Sequence, residues 1–152
     1  MIISEKIIEA FLETIREDMK FRIEKEGNDK WILLFSTSEW KEEIPVTVRI
    51  VRNEEGSPVM LLIYHSIEVN IGDLGKDDLL TLLALNREIN FAKVALLKEE
   101  GIIGVTLEMP TMDISVEEIF TGLLSVVQGA TVLHTFIDSI SHRVGFKIPK
   151  KK

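Results

Sequence analysis

His134, Asp138 and His142 recur at intervals of four residues, the spacing that brings side chains near one another along a helix. Two imidazoles and a carboxylate are groups that can hold zinc or iron. One reading of the chain is therefore a small metal-dependent enzyme using His134, Asp138 and His142. The competing reading sets His134 beside an apolar seam as a core or interface histidine bonded to Asp138, with Asp138 and His142 progressively nearer the polar side. The second is favoured, because a catalytic metal normally draws a further ligand from elsewhere in the chain and no residue stands out for that role. His65 stands by itself at the end of a strand, and no histidine has a nucleophile partner. The chain is accordingly read as a non-enzyme, with no catalytic residue, metal ligand or cofactor site.

Two other stretches invite a chemical reading. "GDLGKDD", Gly72 to Asp78, matches a phosphate-binding loop at Gly75-Lys76, but it lacks the preceding glycine loop and has Asp77 where Ser or Thr would hold magnesium. An acid there repels phosphate, so the stretch reads as a loop leading into a helix. The acidic doublets Glu42-Glu43, Glu54-Glu55, Asp77-Asp78, Glu99-Glu100 and Glu117-Glu118 fall in turns or first helical turns, where solvation and the helix dipole favour acids. Trp40 is a large aromatic in the polar loop "STSEWKEE". It either caps the edge of the core or anchors a protein partner.

Composition narrows the functional classes. A length of 152 residues with 45% hydrophobic residues and no linker-like stretch fits one domain with its own core, over residues 1–146, followed by a basic, disordered tail at 147–152. A net charge of −7 argues against nucleic acid as a partner. The chain has no cysteine, which excludes disulfides and thiolate chemistry and fits a reducing, cytoplasmic setting. The N-terminal "MIISEKIIEAFLETIRED" mixes acids into its apolar positions and so does not read as a signal peptide. Many Lys, Glu and Ile residues beside the single Gln128 lean towards a thermophilic source. Ile119 to Ser141 is nearly neutral, but Gln128, His134 and Asp138 interrupt it, which argues against a membrane span.

The elements that would position these residues follow from periodicity. Ser4 caps a first helix over residues 4–18, with Ile3 and Ile8 as its hydrophobic staple. "KFRIEK", "WILLF", "VTVRIVR" and "VMLLIYH" read as antiparallel strands separated by turn chemistry. A second helix is expected from Gly75 to about Asn90, then a hairpin "FAKVALL"/"IIGVTLEM", then a third helix whose capping box is Ser115 and Glu118. The order helix, three or four strands, helix, two strands, helix gives an α+β domain on one antiparallel sheet.

Ile119, Leu123, Val126, Ala130, Leu133, Ile137, Ile140 and Val144 step by four and three, a seam along one helical face. Continuous to Val144, this helix would be about 45 Å long at 1.5 Å per residue, whereas ordinary strands span only about 17–20 Å. The overhanging half would need another cover, and a second copy of the chain is the simplest. Leu123, Val126, Ala130, Leu133, Ile137 and Ile140 are thus the expected dimer contacts, with Gly122 and Gly129 permitting close approach of another element. The alternative is a break near Gly129 that folds the helix back onto its own core.

Leu82 to Ala130, "LLALNREINFAKVALLKEEGIIGVTLEMPTMDISVEEIFTGLLSVVQGA", resembles the YbjN-like family and its wider relatives, the type III secretion chaperone-like proteins. The matching features are a helix ending in "LNREINFAK", a hairpin turning on Gly101, a strand closing in "LEMP" and a capped long helix. The resemblance implies a secretion-chaperone-like fold, a small acidic homodimer that holds a partner protein or peptide in extended form, and no catalytic residues. YbjN-like proteins are described as sensory transduction regulators, so it leaves chaperone and regulator both open.

Overall fold

The computed structural model describes residues 3–36, 38 and 42–147. Helix α1, Glu5–Met19, begins where Ser4 Oγ accepts the Ile7 N–H. It lays Ile8, Leu12 and Ile15 into the core. Four strands follow: β1 Phe21–Lys25, β2 Lys30–Phe35, β3 Ile44–Arg52 and β4 Pro58–Val69. Helix α2 is Lys76–Ala84, β5 is Lys93–Leu97, β6 is Ile102–Pro110, α3 is Val116–Ile140, and a two-residue strand β7, Phe146–Lys147, closes the described chain.

All the pairings are antiparallel, in the order β1-β2-β3-β4-β6-β5, with β7 against β4 at Glu68 and Val69. The fold is therefore α+β on a single antiparallel sheet, as expected. Alternation along β4 sends Leu61, Ile63, His65, Ile67 and Val69 inward, all buried. Trp31, Leu33 and Phe35 of β2 and Val46, Val48 and Ile50 of β3 share that core. Lys147, expected in the basic tail, pairs opposite Glu68; residues 148–152, the rest of that tail, lie outside the described residues.

Both later helices depart from one or other expectation of the sequence reading. α2 ends at Ala84 and tightens into a 3₁₀ turn, Leu85–Arg87, instead of running to Asn90. The chain from Asn90 then passes against α3: Ser125 Oγ donates to the Asn90 carbonyl and accepts the Ala92 N–H at 3.0 Å. Those bonds draw the backbone away from the helical path, and Phe91 between them has φ +67°.

α3 is continuous through Gly129, so it does not fold back, and it does not overhang the sheet either. Its 25 residues span about 37 Å, while the 12 residues of β4 span about 40 Å. The core strands are longer than ordinary strands, and Leu123, Val126, Ala130, Leu133, Ile137 and Ile140 are all buried within one chain. The expectation that a second copy covers this seam is corrected accordingly. The glycines do permit a close approach, but of the chain's own sheet. A Cβ on Gly129 would lie 2.5 Å from Val105 Cγ1, and one on Gly122 would lie 2.9 Å from Leu107 Cδ2.

Candidate functional site

The histidines end up elsewhere than the helical spacing suggests. His65 lies in mid-strand on the inward face of β4, and His134 turns towards it from α3, Nε2 to Nε2 at 3.0 Å. The other nitrogen of His65, Nδ1, lies 2.8 Å from the Pro45 carbonyl. A carbonyl only accepts, so Nδ1 carries the His65 proton and its Nε2 is left to accept the N–H of His134. Burial pushes the His65 pKa below its ordinary value. Burial, followed by the repulsion a charged His65 would exert, pushes His134 down to about 3. The pair is neutral at pH 7 and ties the C-terminal part of α3 to β4.

Asp138 and His142 are exposed. At 3.6 residues per turn, each step of four drifts about 40° around the helix, so three residues at that spacing do not share a face once the first turns towards the sheet. α3 also ends at Ile140, before His142. Among the described residues no three His, Asp or Glu side chains gather closely enough to hold a metal ion. The metal-dependent alternative built on His134, Asp138 and His142 is corrected on this geometry. The sequence reading missed the pairing with His65, although period two from Leu61 and Ile63 already points His65 inward.

Asp78 is a charged group held in place on α2. Arg143, in the turn after α3, donates through Nη1 to Asp78 Oδ2 at 2.8 Å and through Nη2 to Oδ1. Gly75 N–H also donates to Oδ2, at 2.8 Å. Arg143 first, then the Gly75 amide, hold the Asp78 carboxyl at about 2. "GDLGKDD" thus leads into a helix, as read. Its acid clamps α2 to the end of α3.

That clamp gives Asp78 an inward position and turns leucines outward. Of α2 only Asp78 and Leu82 are buried, whereas Leu79, Leu80 and Leu83 are exposed, Leu83 at 69%. β5, the terminal strand, joined to the turn after α2 through Asn86 and Val94, exposes Leu96 and Leu97. Phe91 is 77% exposed at φ +67°, a sparsely populated conformation for a bulky side chain. It borders an apolar groove of about 320 Å³ with Leu107 and Met109 of β6 and Thr121 and Gly122 of α3. Exposed apolar side chains are thus found on α2, at Phe91 and on β5. Trp40, the other candidate anchor, lies outside the described residues.

Comparison with solved structures shows the same fold in proteins of little sequence likeness. An uncharacterized protein from Methanothermobacter thermautotrophicus superposes with a TM-score of 0.60 at 14% identity, over 90% of this chain and 99% of that one. A chain of the HopA1-SchA chaperone-effector complex gives 0.54 at 11% identity, over 82% and 90%. A chain of the ExsC-ExsE complex gives 0.54 at 17%, over 86% and 92%. The secretion-chaperone-like fold expected from the sequence is thereby shown. No family model matches the chain, and no curated protein matches its sequence, so the YbjN-like likeness rests on the sequence motifs alone.

Proposed function

We propose that this protein is a non-enzymatic, homodimeric protein-binding module of the cytoplasm, chaperone-like or regulatory, that holds a protein or peptide partner. The observation that carries the reading is the exposed apolar row on α2, Leu79, Leu80 and Leu83, with Phe91, Leu96 and Leu97 also exposed on the segments that follow it. Leu83 neighbours Leu79 and Leu80 along the helix, and a contiguous exposed apolar patch marks a surface that something binds. The neighbouring folds include a chain from a chaperone-effector complex, which supports a protein as the partner. His65 with His134, and Asp78 with Arg143, are engaged with one another and knit elements together, which fits a binding protein better than an acid-base catalyst.

The dimer is assigned to the α2 row rather than to the α3 seam. Phe91 and its groove are assigned to the partner, because a strained, exposed aromatic beside an apolar recess has the character of an anchor. Nucleic acid fits poorly with a charge of −7. A membrane fits poorly as well: α3 passes the length and apolarity test for a span, yet half of its apolar window is buried in the chain's own core.

Sedimentation equilibrium of the wild-type protein and of Leu83→Glu tests the dimer. The wild type is expected to be dimeric at micromolar concentration and the variant monomeric with an unchanged circular dichroism spectrum, since Leu83 makes little contact within its own chain. A wild-type monomer at 100 μM would overturn the assignment. For the partner, a protein recovered stoichiometrically with the wild type from its native host is expected to be lost with Phe91→Ser. Equal recovery with both would remove Phe91 from the contact.

A further inference from the structure

β5 ends the sheet, and its far side faces no other strand among the described residues. In an antiparallel sheet successive residues direct their N–H and C=O alternately to one neighbour and then the other. On β5 the outward pair at Val94 is already used. Val94 N–H donates to Asn86 Oδ1 at 2.6 Å, and Asn86 Nδ2 donates to the Val94 carbonyl at 3.5 Å. A carboxamide carries the same donor and acceptor as a peptide group, so this side chain stands where the next strand would place its backbone. By alternation Leu96 is the other outward residue of this five-residue strand, while Lys93, Ala95 and Leu97 turn theirs to β6.

The segment "KVALL" is apolar, carries one charge and has no proline. A strand of that composition at a sheet edge is a template for pairing with another chain. The usual defences, a proline or several charges along the edge, are missing from it. We propose that Asn86 is a side-chain plug that closes the β5 edge against addition of another strand. The early end of α2 is part of the same device: the tight turn Leu85–Arg87 brings Asn86 alongside Val94, which a helix continued to Asn90 would not do. This inference is independent of the dimer assignment, because a monomer needs its edge closed as much as a dimer does.

Amide hydrogen exchange read by NMR on the intact wild-type chain tests the plug directly. The Val94 amide is expected to exchange at least tenfold more slowly than that of Leu96, though both face the same edge. Equal rates would overturn the proposal, and this comparison needs no variant. In Asn86→Ala, Val94 is expected to lose that protection and the protein to form species larger than wild type as concentration rises. Leu96→Pro, added to Asn86→Ala, is expected to suppress those species by removing the remaining outward N–H. Asn86→Asp keeps the acceptor and adds a charge to the edge, so it is expected to retain Val94 protection and the wild-type size. A folded Asn86→Ala protein that keeps the wild-type size at every concentration would also overturn the proposal.

Discussion

The His65–His134 bond makes the core sensitive to acid, and the direction follows from the lowered pKa values. An unfolded histidine titrates near 6.5, so between that pH and the folded value the unfolded chain binds more protons and stability rises with pH. Stability from the pair is complete above about pH 6.5 and is lost as pH falls towards about 3, the folded value of His134. Asp78 acts in a lower window, from its ordinary 3.8 down to about 2. We expect urea midpoints of the wild type to fall between pH 7 and pH 4, and those of His65→Leu/His134→Leu to fall much less. His134→Leu by itself leaves an acceptor on His65 without its donor and should cost about 1–3 kcal/mol at pH 7, more than the double replacement. A wild-type midpoint independent of pH over that range would show that the pair does not govern the response.

At the scale of elements, what local chemistry decides was legible and what tertiary contacts decide was not. The Ser4 and Ser115 caps lie within a turn of the residues they serve, and both form. The β4 strand was read too short because Ser66 and Glu68 on its outer face interrupt the apolar run after His65, while the inward alternation continues to Val69. The leucines of α2 cover a broad face, and which part of it turns inward depends on the Arg143 clamp on Asp78, 65 residues away. The long helix tests this division at its two glycines. Alanine at either gains about 1 kcal/mol of helix propensity. At Gly129 the new methyl meets stiff, branched Val105 at 2.5 Å, and overpacking of about 1–3 kcal/mol outweighs the gain. At Gly122 it meets the end of half-buried Leu107, which can turn into the adjoining groove. Chemical denaturation should therefore find Gly129→Ala less stable than Gly122→Ala by at least about 1 kcal/mol; the reverse order would mean that the sheet yields at Val105.

For the whole molecule, the fold class followed from the sequence, but the order of strands in the sheet and the question of which apolar face the chain itself covers did not. The seam from Leu123 to Ile140 is regular enough to suggest a dimer contact, and periodicity cannot tell whether a stripe faces another copy or the chain's own sheet. Strand length decided it, through β4. The exposed leucines of α2 sit in a helix that looks equally suited to burial, and they became a surface only because Asp78 took the inward position. Two charge insertions separate these surfaces. Glutamate at Ile137 buries a carboxylate in the monomer core, where the residue is 5% exposed, and an unpaired buried charge costs several kcal/mol, a large share of the roughly 5–15 kcal/mol that holds an ordinary domain together. Ile137→Glu is thus expected to lose its cooperative melt at every protein concentration, with no folded monomer released. Glutamate at Leu83 meets solvent in the isolated chain, so Leu83→Glu should still melt cooperatively. It should do so without the rise of melting temperature with concentration that the proposed dimer predicts for the wild type. Calorimetry of the three proteins across a hundredfold concentration range distinguishes the outcomes. A folded, monomeric Ile137→Glu protein would return the interface to α3, and a Leu83→Glu protein whose melting temperature still rises with concentration would take it away from α2.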